Sequence, residues 1–73
     1  MNIGVSNVER NANDARYLIT HDRNPRLRVA TAEVVNGVYG IRDRNDNPVR
    51  VGSPLYNAVR EAIDDYEDWS ARH

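Results

Sequence analysis

The chain contains no cysteine and no lysine. Without cysteine, neither a disulfide nor a cysteine-bound zinc ion can stabilise the fold, which favours a reducing, intracellular setting. All ten side chains with a permanent positive charge are arginine. The planar guanidinium of arginine pairs with carboxylates or phosphates through parallel hydrogen bonds. A small chain of this composition is suited to holding another macromolecule, although codon bias in a GC-rich genome is an alternative cause of the arginines.

Long apolar runs are also missing. No segment approaches the roughly 18 apolar residues of a membrane-spanning helix, and the first residues lack the basic and apolar stretches of a secretory signal. The 73 residues predict one domain, 1–73. A core of this size leaves little room for an enclosed substrate pocket, because small domains bury a smaller share of their surface.

Residue patterns typical of catalytic and metal sites are absent from the sequence. His21 and His73 are far apart in the chain, no serine lies in a nucleophile motif, and no glycine run matches a phosphate-binding loop. The segment Asp43–Asn47 resembles a calcium loop only faintly, and a turn is the favoured interpretation because the glycine and glutamate of such a loop are missing. We therefore expect no metal, no cofactor and no enzymatic activity.

Charge is distributed unevenly along the chain. Residues 1–53 hold eight arginines and six acids, whereas residues 54–73 hold two arginines and five acids. The overall net charge of −1 disfavours direct binding to nucleic acid, since such domains are usually basic.

The end of the chain predicts an amphipathic helix over residues 54–70. Ser53 is a favourable N-cap and Pro54 suits the first helical position. One apolar stripe then follows at helical spacing, formed by Leu55, Ala58, Val59, Ala62, Ile63, Tyr66 and Trp69. The opposite face carries the acids Glu61, Asp64, Asp65, Glu67 and Asp68. They are interpreted as a solvated surface, with a contact patch for a basic partner as the alternative.

Strands are predicted before this helix. Asn36-Gly37 is a strong signal for a two-residue hairpin turn, which pairs residues 27–35 with residues 38–43. Poor alternation in the first arm predicts a bulge or a register shift there. Gly40 in the second arm indicates either a bulge or a close approach of another backbone segment. Residues 17–20 favour a further strand, ended by a turn at 22–25, and residues 49–51 predict a short strand after the turn at 46–48.

The amino-terminal segment is ambiguous. Ser6 and Glu9 match a capping box, so we expect a short or frayed helix within a flexible segment, 1–14. The predicted fold is therefore α+β, with a small antiparallel sheet of three to four strands within residues 15–51 and the C-terminal amphipathic helix packed on it.

Six arginines flank two of the predicted turns: Arg23, Arg26 and Arg28 near the first, and Arg42, Arg44 and Arg50 near the second. The two arms of the hairpin can bring them to one basic surface at its open end. This surface is either ordinary solvated sheet, a protein-binding patch or a nucleic-acid contact. The last would need aromatic rings for stacking, and only Tyr17 and Tyr39 are candidates.

The start MNIGVSNVERNANDARYL, the Asn36-Gly37 hairpin and the acidic end AIDDYEDWSARH together resemble the small RNA polymerase-binding transcription regulators of lytic Xanthomonas phages. The resemblance covers the whole chain and includes its length, but it rests on no diagnostic motif. It implies a protein of the host bacterial cytoplasm that binds the amino-terminal region of the polymerase β′ subunit near the β flap. Binding there weakens σ factor association, inhibits initiation and suppresses termination.

The partner contacts expected from these considerations lie in the amino-terminal segment and the basic loops, at Val8, Arg10, Arg16, Tyr17, Arg23, Arg26 and Arg28. Two other functions remain open. The chain could inhibit a host defence or nucleic-acid-processing complex, or it could be a small nucleic-acid-binding regulator.

Overall fold

Four antiparallel strands and one helix make up the fold in a computed structural model that describes residues 2–72. The strands are β1 (Ile3–Arg10), β2 (Asp14–His21), β3 (Asn24–Val35) and β4 (Val38–Asp43), and they lie side by side in chain order. The helix α1 (Pro54–Arg72) packs on one face of this sheet. The predicted α+β class, with a small antiparallel sheet and a C-terminal helix, is confirmed.

The hairpin between β3 and β4 forms at the predicted turn. Asn36 and Gly37 have φ angles of 52° and 82°, the left-handed region that a two-residue turn of this kind requires. Pairing then runs without a register shift from Val35 opposite Val38 to Ala30 opposite Asp43. Gly40 is therefore not a bulge, which is one of the two readings that the sequence left open there. The bulge or register shift predicted in the first arm is confirmed, because the pairing of β3 with β2 shifts between Ile19, opposite Ala30, and Thr20, opposite Arg28.

The amino-terminal segment forms a strand, so the predicted helix there is wrong. β1 pairs antiparallel with β2, and a register shift between Val5 and Asn7 inserts Ser6 as an extra residue. This bulge keeps Val5 and Val8 on the same face, packed against the core, at a sequence spacing of three that imitates a helix. The sheet consequently begins at Ile3, well before the predicted boundary at residue 15.

The predicted short strand over residues 49–51 is also wrong. One bridge joins Pro48 to Arg42, and the N–H of Val49 donates to the carbonyl of Ile41 at 2.8 Å. The chain then turns at Gly52, whose φ is 84°, because the helix must begin immediately afterwards. This segment covers the Ile41–Asp43 half of the outer edge of β4.

Helix α1 begins where the sequence predicts and ends at Arg72, two residues beyond the predicted boundary at residue 70. The Ser53 hydroxyl accepts a hydrogen bond from the backbone N–H of Tyr56 at 3.2 Å, which satisfies one of the free donors of the first turn. Val59 and Ile63 are fully buried against the sheet. The buried sheet residues around them are Tyr17, Ile19, Ala30, Ala32 and Ile41.

Candidate partner-binding surfaces

The β2–β3 turn and the loop after β4 lie at the same end of the sheet, because neighbouring strands run in opposite directions. Arg28, near the start of β3, donates from Nη2 to the carbonyl of Arg44 at 2.8 Å. Arg42 donates from Nη1 to the carbonyl of Asp46 at 3.1 Å. These two guanidinium groups hold the loop after β4 against the end of the hairpin. We call this region, with Arg23, Arg26, Arg28 and Arg44, the arginine end.

Three side chains of the arginine end have neither an ion pair nor a side-chain hydrogen bond within residues 2–72. Within residues 2–72, the ion pairs are Arg10–Glu67, Arg16–Glu33 and Arg72–Asp68. The guanidinium groups of Arg23, Arg26 and Arg44 belong to none of them, and all three residues are exposed. Their hydrogen-bond donors are therefore available to carboxylates or phosphates of another molecule.

The loop after β4 is ordered by its own side chains. One carboxylate oxygen of Asp43 accepts from the N–H groups of Asn45 and Asn47 at 2.9 and 3.0 Å. Asp46 takes a positive φ of 65°, which confirms the turn predicted there. Among residues 2–72, no group of three His, Cys, Asp or Glu side chains is placed to hold a metal ion.

A second cluster joins the end of β1 to the helix. Glu67 accepts from Arg10 Nη2 at 2.7 and 2.8 Å and from the Tyr17 hydroxyl at 2.5 Å. The Tyr17 hydrogen bond, with help from Arg10, holds the pKa of Glu67 below its ordinary value. Burial and the same hydrogen bond raise the pKa of Tyr17 to about 12, and the bond to Glu67 raises the pKa of Arg10. We call these three residues the Glu67 triad.

The sequence interpretation placed Glu67 on a solvated acidic face, whereas the structure turns it toward the sheet. Position 67 follows the buried Ile63 by four residues, so it lies beside the apolar stripe and not opposite to it. This spacing was the signal for an inward-facing carboxylate.

The predicted contact residues are divided among several places. Arg23, Arg26 and Arg28 come together at the arginine end, while Arg10 and Tyr17 meet in the Glu67 triad. Only 4% of the Tyr17 surface is exposed, so its ring cannot contact a partner without rearrangement of the core. The other two, Val8 and Arg16, lie on opposite faces of the sheet.

The face of the sheet opposite the helix holds a shallow groove of about 360 Å³. Gly40 lines this groove. A Cβ added at Gly40 would make only an ordinary contact, 3.8 Å from the carbonyl oxygen of Glu33. Arg16 faces Glu33 across the strands at 3.8 Å. Val38, at the far end of the groove, is 70% exposed.

The two tyrosines considered for base stacking are both engaged within the protein. Tyr17 belongs to the Glu67 triad. The guanidinium carbon of Arg60 lies 4.0 Å from the ring centroid of Tyr39, a cation–π contact that occupies one face of that ring. Neither ring is free on both faces to receive a base.

The part of the chain that the structure describes has no helix long and apolar enough to cross a membrane. Comparison with known protein families, with curated protein sequences and with solved structures gives no significant match.

Proposed function

We propose that the chain is a phage protein that binds host bacterial RNA polymerase. In this proposal it acts in the host cytoplasm, contacts the amino-terminal region of the β′ subunit near the β flap, and weakens the association of the σ factor. Initiation is inhibited and termination is suppressed as a result. The proposal takes its partner from the resemblance to the regulators of lytic Xanthomonas phages, and its main physical support is the arginine end.

The arginine end supports a binding function because the guanidinium groups of Arg23, Arg26 and Arg44 are exposed and form no ion pair within residues 2–72. Arg23 and Arg26 flank a tight β2–β3 turn, where the Arg26 N–H donates to the Asn24 side-chain oxygen at 3.2 Å. Arg28 fixes the neighbouring loop. Because the backbone of this turn is ordered, it loses less conformational entropy on binding than a flexible loop, and the charges it carries accelerate encounter with an acidic surface.

Such a protein acts by occupancy, so its effect depends on its concentration relative to that of the polymerase. Binding that excludes the σ factor lowers the apparent affinity of the σ factor by mass action, without any bond being made or broken. We therefore expect inhibition of initiation that saturates near equimolar amounts and that excess σ factor reverses.

Affinity purification of the tagged chain from Xanthomonas lysate tests the proposal. We expect β and β′ to co-purify and the σ factor to be depleted from the recovered enzyme. In transcription reactions with purified components, initiation should fall and read-through of a terminator should rise. Recovery of neither large subunit would contradict the proposal.

The same purification separates the alternatives. A host defence or nucleic-acid-processing complex recovered in place of polymerase would identify the chain as an inhibitor of that complex. Nucleic acid also fits the arginine end, since guanidinium groups pair with phosphates. That function predicts affinity for DNA or RNA that falls steeply with salt, and it is disfavoured by the engaged rings of Tyr17 and Tyr39.

A further inference from the structure

The strand β1 forms a free edge of the sheet. Among residues 2–72, its only neighbour in the sheet is β2, whereas the opposite edge, on β4, is partly covered by residues 48 and 49. An uncovered edge strand presents unpaired N–H and C=O groups that can pair with another chain.

The hydrogen bonds at the two ends of β1 identify which groups point outward. The Asp22 N–H donates to the Asn2 carbonyl at 3.0 Å, and the Asn11 N–H donates to the Asp14 carbonyl at 2.9 Å. Alternation along an antiparallel ladder, with Ser6 as the bulged residue, then places the inward-bonding pairs at Gly4, Asn7 and Glu9. The outward backbone groups are those of Ile3, Val5, Val8 and Arg10.

A groove lies beside this edge, between β1 and the helix. It measures about 190 Å³ and is lined by Ile3, Ala58, Glu61, Ala62 and Asp65. Its lining combines three apolar side chains with two carboxylates, neither of which has a hydrogen bond or ion pair within residues 2–72. An arginine or lysine of a partner matches this groove, because its aliphatic stem packs on small side chains while its charge meets a carboxylate.

We propose that the β1 edge accepts an extended, basic segment of a partner protein as a fifth strand. The backbone of the segment pairs with the outward groups of β1, and its alternate basic side chains meet Glu61 and Asp65. This inference rests on the proposed function in one respect, that the chain acts by binding. It adds the surface used and the chemistry of the segment bound.

A second copy of the chain is a poorer occupant of the same edge. Antiparallel pairing of β1 with its own copy, related by a two-fold axis, places both helices on one face of the joined sheet. The acidic rims formed by Glu61 and Asp65 would then face each other, and like charges brought together disfavour association.

A peptide of the same length as β1, with alternating lysine and valine, tests the proposal. Its counterpart has glutamate in place of lysine, and a third peptide has alternate backbone nitrogens methylated, which removes the donors of one edge. Amide NMR spectra of the isotope-labelled protein would be recorded with each. We expect the lysine peptide to shift the amide signals of β1 and to slow amide exchange at Ile3, Val5 and Val8.

Charge dependence is tested by protein variants. Glu61→Gln combined with Asp65→Asn should weaken lysine-peptide binding by roughly fivefold, as expected for two exposed ion pairs. Asp64→Asn, which removes an exposed acid that does not line the groove, should leave binding unchanged. The spectra of the free variants also show whether each is folded.

Several results would overturn the inference. These are equal binding of the glutamate peptide, undiminished binding of the methylated peptide, shifts confined to β4 or the open sheet face, or self-association of the chain through β1. Polymerase recovery separates this inference from the proposed function. If polymerase binds the Glu61→Gln, Asp65→Asn variant as well as the wild type, the inference fails and the proposed function stands. If the peptide binds β1 but no polymerase is recovered, the proposed function fails and the inference stands.

Discussion

Arg10 and Glu67 are 57 positions apart in the sequence, yet one guanidinium nitrogen of Arg10 lies 2.7 and 2.8 Å from the two carboxylate oxygens of Glu67. The contact joins the last residue of β1 to the final turns of α1. Tyr17 donates to the same carboxylate from within the core. The Glu67 triad therefore connects the first strand, the second strand and the helix through polar contacts at the margin of the apolar core.

Replacement of this carboxylate should destabilise the fold. In Glu67→Gln, the charged acceptor of all three hydrogen bonds from Arg10 and Tyr17 is lost. We expect the free energy of unfolding to fall by about 1–2 kcal/mol, a value reduced for the partial exposure of the group. Urea denaturation monitored by circular dichroism measures the change. Glu61→Gln is the matched control and should stay within about 0.5 kcal/mol of wild type.

The same variant should respond differently to acid. Because the pKa of Glu67 is lower in the folded chain than its ordinary value of 4.5, the stability that it contributes is present above that value. It is lost as the pH falls through the folded-state pKa. The difference in unfolding free energy between wild type and Glu67→Gln should thus shrink in acid, and a constant difference would contradict the role of this carboxylate.

Alkaline pH should act on Tyr17. Its pKa is raised from 10.0 to about 12 in the folded chain, so its contribution is complete below pH 10 and is lost as the pH rises toward 12. In this window wild type should lose stability faster than Tyr17→Phe, which has no hydroxyl to ionise. Denaturant titrations at several pH values compare the two, and parallel curves would show that the hydroxyl is not held in the neutral form.

The two glycines of the β3–β4 hairpin, Gly37 in the turn and Gly40 in β4, should differ in their tolerance of a methyl group. Gly37→Ala meets no neighbour within 4 Å, but its φ of 82° is strained for alanine, so we expect a loss of about 1–2 kcal/mol. Gly40→Ala lies in a regular strand with only an ordinary contact and should be neutral or slightly stabilising. Thermal unfolding of the two variants makes the comparison. An equal loss in both would contradict the backbone explanation.

The arginine end should determine affinity for polymerase if the proposed function is correct. Arg23→Ala combined with Arg26→Ala removes two exposed charges and should weaken binding by about tenfold, mostly at low salt. Arg72→Ala is the control, since Arg72 is also exposed but lies at the helix end beside Asp68. Surface plasmon resonance with immobilised polymerase measures both, and similar affinities for the two variants would remove the arginine end from the interface.

The sequence predicted those elements whose signals are local. Ser53 and Pro54 mark the start of the helix because capping depends on adjacent residues, and Asn36-Gly37 marks the hairpin because few residues accept a positive φ. The strand β1 was missed because one bulged residue, Ser6, breaks the alternation that identifies a strand. Its pairing with β2 depends on tertiary contacts, which the intrinsic strand propensities of its residues do not reveal.

The candidate surfaces were predicted less completely. Strand pairing in the hairpin was sufficient to bring Arg28 near the loop that contains Arg44, and the structure shows that contact. The position of β1 beside the helix was not predictable from spacing, because it depends on the order of strands in the sheet. The roles of Arg10 and Glu67 follow from that order, as does the acidic groove.

The bridge between Arg42 and Pro48 covers part of the β4 edge of the sheet, whereas the β1 edge stays open along its length. Residues 48 and 49 occupy half of the β4 margin, and the remainder, Val38–Gly40, is only three residues long. A filament that grows by strand pairing needs two open sheet edges on every molecule, one to pair with the preceding chain and one to pair with the next. The uncovered part of the β4 edge is too short for this, so a partner strand added at β1, as proposed, should give a heterodimer and not a filament.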